Sequence, residues 1–546
     1  MNFRTVVQTL SLCLFFALLW MAAFPLVAWI PVDFFQRLDP LVFSGTLIST
    51  RQWVWSLVPG LAIIGLTLFL GRFFCGYICP MGITIDLSDR FFGSGDRGTK
   101  AFGSEKEAKF RKIKYFILFF ILGAAILSVS SVFLASPLSL ITRFYGLVIY
   151  PGLVLAGDTA LDFFLPLNLM LGLEGLAYWE LQSYRFATQW FITFFFVAVL
   201  GLAYYAPRFW CRYLCPSGAL MALAGKKPLL RRKVSPDCTD CGLCRKKCPM
   251  GAINDDPFKT FHQECIVCET CVRVCPEKAV AFGLNHVQKI SGTKEFIPAR
   301  RQLMASALGG AGSAILVYTG IGSARSDFLP GNILSDSLIR PPGALPEEDF
   351  QARCISCGLC MKACPTNTLQ PVWLEAGLGG VFSPKVLPRR GPCDPLCNVC
   401  GRVCPTGALR SISLAEKMWA RIGTSSIIKH KCLAWEWNRE CLVCYEVCPY
   451  AAIELKRVPD VPVPVPYIIQ NKCSGCGACE YHCPVQGASA IVVEPVEALR
   501  MNKGSYIETG RAIGLELDAD PDRERKPPDH LFDPDDPDDL PPGFSY

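Results

Sequence analysis

Six four-cysteine motifs, each closed by a Cys-Pro pair, constrain this chain more than any other feature of its sequence. They contain 24 of the 29 cysteines in 546 residues. A disulfide scaffold is typical of short secreted domains, and this chain is far longer. In the spacing C-x2-C-x2-C-x3-C-P, three thiolates in a tight loop bind one [4Fe–4S] cluster and the fourth reaches a neighbouring cluster. The motifs therefore predict a multi-cluster iron–sulfur protein.

The first two motifs have this spacing without interruption, so their predicted ligands fall into two sets. The sets are Cys238, Cys241, Cys244 and Cys275 for one cluster, and Cys265, Cys268, Cys271 and Cys248 for the other. Four-cysteine sites also bind zinc. Two tandem motifs with terminal prolines favour iron–sulfur clusters instead.

Four further motifs match four more clusters. Two are regular, one has an extra residue in its first gap, and one has eight residues there; extra loop length costs little entropy. Their predicted ligands are Cys354, Cys357, Cys360, Cys364, Cys393, Cys397, Cys400, Cys404, Cys432, Cys441, Cys444, Cys448, Cys473, Cys476, Cys479 and Cys483. Which fourth cysteine serves which cluster stays open. Pairing of first with fourth and second with third is as plausible as pairing of neighbours.

Long uncharged stretches predict a membrane domain. Charged residues make up only 18% of the chain, and the mean hydropathy is +0.31. Five stretches reach the ~20 helical residues that cross a bilayer core. They are Thr5–Val32, Gln52–Gly71, Tyr115–Thr142, Phe186–Pro207 and the Gly/Ala-rich Gln302–Ala324. Phe144–Gly157 and Phe163–Leu173 are too short to span, and we interpret them as interfacial or re-entrant pieces.

Positive charge is concentrated in the loop after the second stretch and in the segment after the fourth. The two opposite loops carry only Arg37, Arg51, Arg143 and Arg185. By the positive-inside rule, the amino terminus and the first two four-cysteine motifs are predicted to be cytoplasmic.

Two shorter motifs, C-G-Y-I-C-P and C-R-Y-L-C-P, lie where the second and fourth stretches meet the cytoplasmic boundary. Their thiols are Cys75, Cys79, Cys211 and Cys215. Free cysteines also pack as small apolar residues, but the repeated spacing at the same end of two stretches favours a paired function. We predict that these thiols bind a cofactor, and a seventh cluster is the hypothesis. Cys13, alone in the first stretch, is interpreted as a core residue.

Other redox cofactors lack their sequence signals. The chain has five histidines, none before His262, and no C-x-x-C-H, so we expect no haem. No G-x-G-x-x-G follows a predicted strand, and we expect no flavin. The net charge of +7 is small for this length and argues against a nucleic-acid partner.

Arg300 and Arg301 stand before the fifth stretch. They fit the ordinary positive flank of a membrane helix. We favour a twin-arginine export signal, because a cluster-loaded domain must be folded before it crosses the membrane. The acidic, proline-rich carboxy terminus predicts a disordered tail.

The predicted fold is an α-helical membrane domain of four spans plus a fifth linking span, joined to α+β ferredoxin-like 4Fe–4S domains. The predicted boundaries are 1–225 for the membrane domain, 226–290 for a cytoplasmic two-cluster domain, 291–325 for the twin-arginine linker, 326–510 for a periplasmic four-cluster domain and 511–546 for the tail.

Two known families resemble the two parts of the chain. Residues 1–285, with four apolar stretches, two C-x3-C-P motifs and two four-cysteine motifs, resemble NapH, the membrane quinol-dehydrogenase subunit of periplasmic nitrate respiration. Residues 299–500 resemble NapG and the methylamine-utilisation ferredoxin MauM. That likeness rests on the twin-arginine start, on R-P-P-G-A-L at Arg340–Leu345, on C-I-S-C-G-L-C-M-K-A-C-P and on C-P-T-G-A-L. The families are normally separate polypeptides, and here they are fused.

The resemblance implies a quinol dehydrogenase of the bacterial inner membrane that serves anaerobic respiration. Electrons from the membrane quinone pool would pass through six [4Fe–4S] clusters, or seven, to a periplasmic c-type cytochrome or terminal reductase. The acceptor stays open, because no reductase is part of the chain.

Two steps are not settled by the sequence. Electrons must cross ~30 Å of membrane without haem, either through a deep cofactor at the short-motif thiols or through a bound quinone. No catalytic residue is assigned. The acidic residues weighed as proton acceptors for quinol, each also interpretable as a solvated loop residue, are Asp158, Asp162, Glu174, Glu180, Asp86 and Asp89.

Two other functions compete with the quinol dehydrogenase. An accessory or maturation ferredoxin for a respiratory metalloenzyme would not need four clusters after an export signal. A redox-sensing regulator would carry a sensory domain, and the sequence gives no sign of one.

Overall fold

The computed structural model describes residues 3–26, 30–92, 104–163, 184–284, 297–318 and 338–517. A helical domain comes first, and the apolar stretches of the sequence supply its longest elements. Its helices are α1 (Phe3–Met21), α2 (Phe34–Arg37), α3 (Pro40–Thr50), α4 (Val58–Leu70), α5 (Phe73–Tyr77), α6 (Pro80–Phe92), α7 (Ser104–Ile126), α8 (Pro137–Phe144), α9 (Tyr150–Phe163), α10 (Gln189–Gly201) and α11 (Pro216–Ala224).

Three helices begin at one buried carboxylate inside this domain. Asp39 caps α3 by accepting from the backbone N–H of Leu41 at 2.9 Å. It also accepts from the hydroxyl of Ser136, which caps α8, at 2.7 Å, and from Ser217 in the first turn of α11 at 2.9 Å. The positive ends of three helix dipoles therefore meet at Asp39 and stabilise its charge.

The structure corrects two predicted helix limits. The stretch Tyr115–Thr142 is not one helix, because α7 ends at Ile126 and α8 begins at Pro137, which fits only a first turn. The prediction that Phe144–Gly157 is a separate short segment is wrong. The π-helical turn Tyr145–Ile149 connects α8 to α9, so the three segments form one helical run of 27 residues, Pro137–Phe163.

Two described helical runs are long and apolar enough to cross a membrane, judged by length and composition alone. They are Phe3–Met21 and Pro137–Phe163. Pro40–Thr50, Trp55–Leu70 and Gln189–Tyr204 are apolar but shorter. Of the predicted re-entrant piece 163–173, only the first residue is described.

The first cysteine-rich block spans residues 230–284. Its strands β1 (Leu230–Val234) and β2 (Val280–Leu284) pair in antiparallel fashion along their whole length. Between them lie the short helices α12 (Leu243–Lys246) and α13 (Thr270–Arg273), each of which carries the third cysteine of its motif. This arrangement is a small α+β unit folded around its cysteines.

Helix α14 (Arg300–Tyr318) contains most of the predicted linking span and packs along α7. The Ser306 hydroxyl donates to the Phe116 carbonyl at 2.7 Å, and a Cβ on Gly310 would overlap the carbonyl oxygen of Phe120. Positions 306 and 310 thus meet 116 and 120 in the same order, so the helices run parallel. Glycine at such a contact lets two helix backbones touch. Residues 319–324 of the predicted span lie outside the described residues.

The second cysteine-rich block spans residues 338–517. Antiparallel pairs β3–β4, β6–β7 and β5–β8 alternate with short helices. The elements are α15 (Glu347–Arg353), α16 (Leu359–Ala363), β3 (Leu369–Pro371), β4 (Pro384–Val386), α17 (Val399–Arg402), α18 (Leu414–Trp419), β5 (Thr424–Ile427), α19 (Leu433–Trp437), α20 (Val443–Glu446), β6 (Ile453–Val458), β7 (Val461–Ile468), α21 (Ala478–His482), β8 (Ile491–Glu494) and α22 (Tyr506–Ala512). Gly358 and Gly477 precede cysteine-bearing helices with φ of +81°, a conformation that glycine adopts at little cost.

This block extends beyond the predicted boundary at residue 510. Helix α22 continues to Ala512, and Leu515 and Leu517 are buried against a core that includes Tyr450. The two leucines were the signal in the sequence that the folded part continues. The tail beyond Leu517 lies outside the described residues.

The two cysteine-rich blocks contact opposite ends of the helical domain. The ring of Phe3, at the start of α1, packs on Tyr77, whose hydroxyl donates to the Val267 carbonyl of the first block at 3.0 Å. At the other end of α1, Lys362 of the second block donates to the Trp20 carbonyl at 3.1 Å. The 19 residues of α1 span about 27 Å at 1.5 Å per residue. We call these the near end and the far end.

Candidate iron–sulfur centres

The structure brings the four thiols of the two short motifs together inside the helical domain. Cys75 lies in α5, Cys79 directly precedes α6, Cys211 lies in a wide turn after α10, and Cys215 caps α11. All four side chains are buried, and their thiols lie close enough to interact electrostatically. We call these residues the four-thiol group.

The proline after each short motif begins a helix whose amino terminus faces the group. Proline fits the first helical position because that residue needs no N–H partner. The N–H of Gly218 in α11 donates to Cys215 Sγ at 3.3 Å, and the N–H of Gly82 in α6 acts on Cys79 in the same way. Backbone donors and the positive end of a helix dipole both favour thiolate over thiol.

Two fully buried arginines flank the four-thiol group. Arg72 donates to Glu264 at 3.0 Å, and Arg208 donates to Asp86 at 2.5 and 2.6 Å. Each also donates to the carbonyl of a cysteine in the group. Positive charge therefore lies beside thiols that become anionic when they bind metal.

Burial keeps three free thiols of the group, those of Cys79, Cys211 and Cys215, neutral. It raises the pKa of Cys79 and of Cys215 well above the ordinary thiol value, and neighbouring thiols act in the same direction. Burial also raises the pKa of Cys211 to about 12, although Arg208 acts against it. Because the thiolate is the form that binds iron, loading of this site releases protons.

Two cavities in the first block are each lined by four cysteines. One is lined by Cys238, Cys241, Cys244 and Cys275, and the other by Cys248, Cys265, Cys268 and Cys271. These are the sets that the motif spacing predicts. We call them the Cys238 site and the Cys265 site.

In the second block, neighbouring motifs pair. Each pair of motifs forms two four-cysteine sites, and each site takes the name of the first cysteine of its set. The sets are Cys354 with Cys357, Cys360 and Cys404; Cys393 with Cys397, Cys400 and Cys364; Cys432 with Cys441, Cys444 and Cys483; and Cys473 with Cys476, Cys479 and Cys448. The alternative that joins the first motif to the fourth is wrong for this structure. Among the described residues, no three His, Cys, Asp or Glu side chains converge as they would on a single metal ion. Four thiols around one space are the donor set of a [4Fe–4S] cluster.

A buried carboxylate fixes the first block to the near end. Both oxygens of Glu264 accept from Lys114 in α7 at 2.6 Å, and one also accepts from Arg72. Burial favours the neutral acid, but Lys114 and Arg72 outweigh it and hold the pKa of Glu264 below its ordinary value. The three side chains are 0% exposed. Their charges depend on one another, because a lone buried charge is costly.

A close backbone contact joins the Cys265 site to the four-thiol group. A Cβ on Gly76 would stand 2.5 Å from the carbonyl oxygen of Ile266. Gly76 follows Cys75, and Ile266 follows Cys265, so the backbones that carry these two thiols touch. Electron transfer slows steeply with distance. Glycine at position 76, which has no Cβ, permits the close approach that such transfer needs.

The length of α1 gives the distance between the four-thiol group and the far end. Ser11 donates to the carbonyl of Ile78, next to Cys79, at 2.7 Å. Nine residues later, Trp20 contacts Lys362, which lies between two cysteines of the second block. At 1.5 Å per residue this separation is about 14 Å. Because Gly76, next to Cys75, accepts from Gln8, the four-thiol group lies between the near end and the middle of α1.

Helix α3 gives the same distance independently. Asp39 at its start contacts Ser217, two residues after Cys215, and Ser49 near its end donates to the Ala352 carbonyl at 2.7 Å. Ala352 lies two residues before Cys354, and the ten residues between the two contacts span about 15 Å.

The sites follow one another from end to end of the molecule. Within the second block, the N–H of Cys393 donates to the Cys476 carbonyl at 2.7 Å, so the Cys393 and Cys473 sites adjoin. The spatial order is the Cys238 site, the Cys265 site, the four-thiol group, the Cys354 site, the Cys393 site, the Cys473 site and the Cys432 site.

The acidic candidates for quinol chemistry do not form one site. Asp86 is an ion-pair partner of Arg4 and Arg208. Asp89 accepts from the backbone N–H of Arg208 at 2.9 Å, and burial raises its pKa to about 6. Of the remaining candidates, Asp158 and Asp162 lie on α9, and Glu174 and Glu180 lie outside the described residues.

Profiles of iron–sulfur families match both parts of the chain. A "4Fe-4S binding domain" matches residues 52–99 and 188–236, which include the whole four-thiol group. A "4Fe-4S dicluster domain" matches residues 237–280, a second matches 439–487, and a "4Fe-4S binding domain" matches 349–370.

Named relatives include ferredoxin-type proteins and a putative electron transport protein. The methylamine utilization ferredoxin-type protein MauM of Methylorubrum extorquens is 37% identical over 226 residues, 40% of this chain and 97% of that protein. The ferredoxin-type protein NapG of Escherichia coli is 32% identical over 182 residues, 32% of this chain and 77% of NapG. The putative electron transport protein YccM of E. coli is 28% identical over 301 residues, 53% of this chain and 71% of YccM.

Proposed function

We propose that this chain, which belongs to the family of ferredoxin-type proteins that includes MauM and NapG, is a membrane-embedded quinol dehydrogenase that conducts electrons from its near end to its far end. The chain is an iron–sulfur electron-transfer protein with several 4Fe–4S sites. The proposal adds the membrane, the quinol, a seventh centre and the direction of flow.

The position of the four-thiol group is the observation that carries this proposal. The group touches the Cys265 site through Gly76 and Ile266 and lies about 14–15 Å in axial distance from the Cys354 site. A redox centre at this depth would divide electron transfer through the helical domain into two shorter steps. The position of the group therefore supports electron transfer across the domain without haem.

The chain's residues hold and shield the centres. When bound, a [4Fe–4S] cluster supplies a one-electron carrier at each site. The 24 motif cysteines and the four-thiol group are the proposed ligands. Glu264 holds the first block in place, Lys362 holds the second, and the apolar core between them excludes water.

The outer surface of the helical domain supports a membrane location. Large apolar side chains such as Phe69 on α4 and Phe194 on α10 are exposed, and soluble monomers rarely expose continuous apolar surface. Trp20, Trp55 and Trp190 are exposed at the far ends of three helices, where an interfacial aromatic belt would lie. We propose α1, α4, α7 and α10 as the four spans of a NapH-like domain and α14 as the linking span.

The course of α14 supports opposite locations for the two blocks. Helix α7 contacts the first block at Lys114 and ends at Ile126, whose carbonyl accepts from Arg51 near the far end at 3.4 Å. Because α14 runs parallel to α7, it leads the chain from the near end to the far end. With the near end cytoplasmic, a twin-arginine signal at Arg300 and Arg301 would export the second block to the periplasm.

The proposed partners are the quinone pool and a periplasmic c-type cytochrome or terminal reductase. The test uses anaerobically purified chain in lipid vesicles, with iron analysis and visible absorbance. We expect about 28 iron atoms per chain if seven centres of four iron are filled. A quinol analogue should bleach the absorbance, and an oxidised c-type cytochrome should restore it. Full iron content without quinol-dependent bleaching would reject the quinol dehydrogenase and favour an accessory or maturation ferredoxin.

A further inference from the structure

Arg143 is a buried arginine at the far end of the helical domain, and no carboxylate among the described residues forms an ion pair with it. Its side chain is 4% exposed. It donates to the carbonyl of Ser356 at 2.9 Å and to that of Phe133 at 3.2 Å, and its guanidinium lies 4.5 Å from the centre of the Phe382 ring. Within the described part of the chain, the groups that act electrostatically on it are the thiols of Cys354 and Cys357, which become anionic when they bind metal.

Two buried arginines beside the four-thiol group have carboxylate partners. Arg72 is paired with Glu264, and Arg208 with Asp86. An isolated buried charge is costly, because the protein interior solvates it poorly. Neutral backbone carbonyls and one ring offset only part of that cost at Arg143. An iron–sulfur cluster bound at the adjacent Cys354 site would supply negative charge there, since Arg143 donates to Ser356 between two of its cysteines.

We propose that Arg143 is the positive partner of the iron–sulfur centre at the Cys354 site and raises its reduction potential. The inference rests on the proposed electron path, in which this site is the first of the second block. Reduction of the centre takes up one electron from the four-thiol group and no proton, so the site becomes more negative by one charge. A fixed cation beside it stabilises the reduced form.

In this position, Arg143 influences the direction of electron transfer between the two sites. The step from the four-thiol group to the Cys354 site crosses the apolar middle of the helical domain, about 14–15 Å along α1 and α3. A higher potential at the receiving site favours transfer towards the far end. Arg143 belongs to α8 of the helical domain, so this control requires the second block to be docked.

The test is an anaerobic redox titration of the full chain followed by EPR. The signal that is lost in a C357A variant identifies the Cys354 site. In R143Q, the midpoint of that signal should fall by about a tenfold change in the reduction constant, which is 59 mV for one electron. R143K should restore most of the wild-type potential. The matched control is R185Q, which removes an exposed arginine whose backbone also contacts the second block.

The outcomes separate this inference from the proposed function. If R143Q leaves the midpoint unchanged while iron content is full, Arg143 is only a structural contact and the inference is wrong. If C357A loses no signal, the Cys354 site holds no centre, and both fail. If R143Q does not accumulate, R143H replaces it, and its midpoint should fall as the pH rises through the imidazole titration. A pH-independent midpoint in R143H would also overturn the inference.

Discussion

At the near end, a single carboxylate neutralises two buried cations. Replacing Glu264 by glutamine removes the carboxylate that pairs with Arg72 and Lys114 among the described residues, all at 0% exposure. Breaking a buried pair in this way costs about 3–5 kcal/mol. We expect E264Q to lower the unfolding temperature and to make the first block susceptible to limited proteolysis.

The matched control is Asp255, whose ion pair with Arg245 in the same block is exposed at 89% and 46%. Exposed pairs contribute about 0–1 kcal/mol, so D255N should behave like the wild type. Equal effects of D255N and E264Q would show that Glu264 does not hold the interface.

Asp89 gives a pH-dependent prediction. Burial raises its pKa to about 6, so the folded state binds a proton more tightly than the unfolded state. The free energy of unfolding therefore falls as the pH rises from the pKa of Asp89 in the unfolded chain towards 6. D89N should not show this loss. Relative to D89N, the wild type should lose about 1 kcal/mol between pH 5 and pH 7.5. Thermal unfolding at the two pH values measures it, and parallel curves would contradict the assignment.

Individual residues differ in how far the sequence predicts them. The cysteine sets of the first block could be predicted because three ligands of each cluster lie within one loop. Lys114, Arg72 and Arg143 could not, because in the sequence they look like ordinary charges beside apolar stretches. Only the folded structure removes them from water and brings Glu264 or thiols against them.

At the scale of elements, α7 and α14 make a backbone contact that one methyl group should disrupt. A Cβ on Gly310 would overlap the Phe120 carbonyl, whereas a Cβ on Gly312, half a turn away, meets nothing within 4 Å. We expect G310A to destabilise the helix pair by about 1–3 kcal/mol through overpacking. G312A should be neutral or stabilising by up to ~1 kcal/mol, because alanine favours helix.

Thermal unfolding in detergent compares the two variants. A disulfide between cysteines placed at positions 116 and 306 reports whether the helices remain side by side. If G310A and G312A unfold and cross-link alike, α14 does not pack on α7 as described.

Helix limits were harder to predict than helix existence. Leu127–Ala135 is as apolar as the helices on either side of it, so hydropathy continued through the break, and Pro137 was the only local sign of a new helix. In the same way, the prediction divided the run Pro137–Phe163 at Arg143, which the structure places inside α8. Hydropathy records burial in apolar surroundings, and it does not record where backbone hydrogen bonds change partners.

At the scale of the whole molecule, the pairing of motifs in the second block could not be derived from spacing. The spacing within each motif left its fourth cysteine free to reach more than one neighbouring site, and tertiary packing decided between them. The depth of the four-thiol group also depends on the fold. The sequence placed its cysteines where two apolar stretches meet the cytoplasmic boundary, whereas Ile78, next to Cys79, contacts Ser11 near the middle of α1.

In this order of sites, the four-thiol group is the only described redox site between the two blocks. Removing it should therefore stop electron transfer from the first block to the second. In sealed vesicles with the first block outside, a membrane-impermeant reductant should bleach all centres of the wild type. In C75A, only the two centres of the first block should bleach, about a third of the six-motif absorbance. C13A removes an exposed cysteine of α1 that belongs to no thiol group and should match the wild type. Complete bleaching in C75A would require a second route across the helical domain, such as a bound quinone, and would remove the four-thiol group from the electron path.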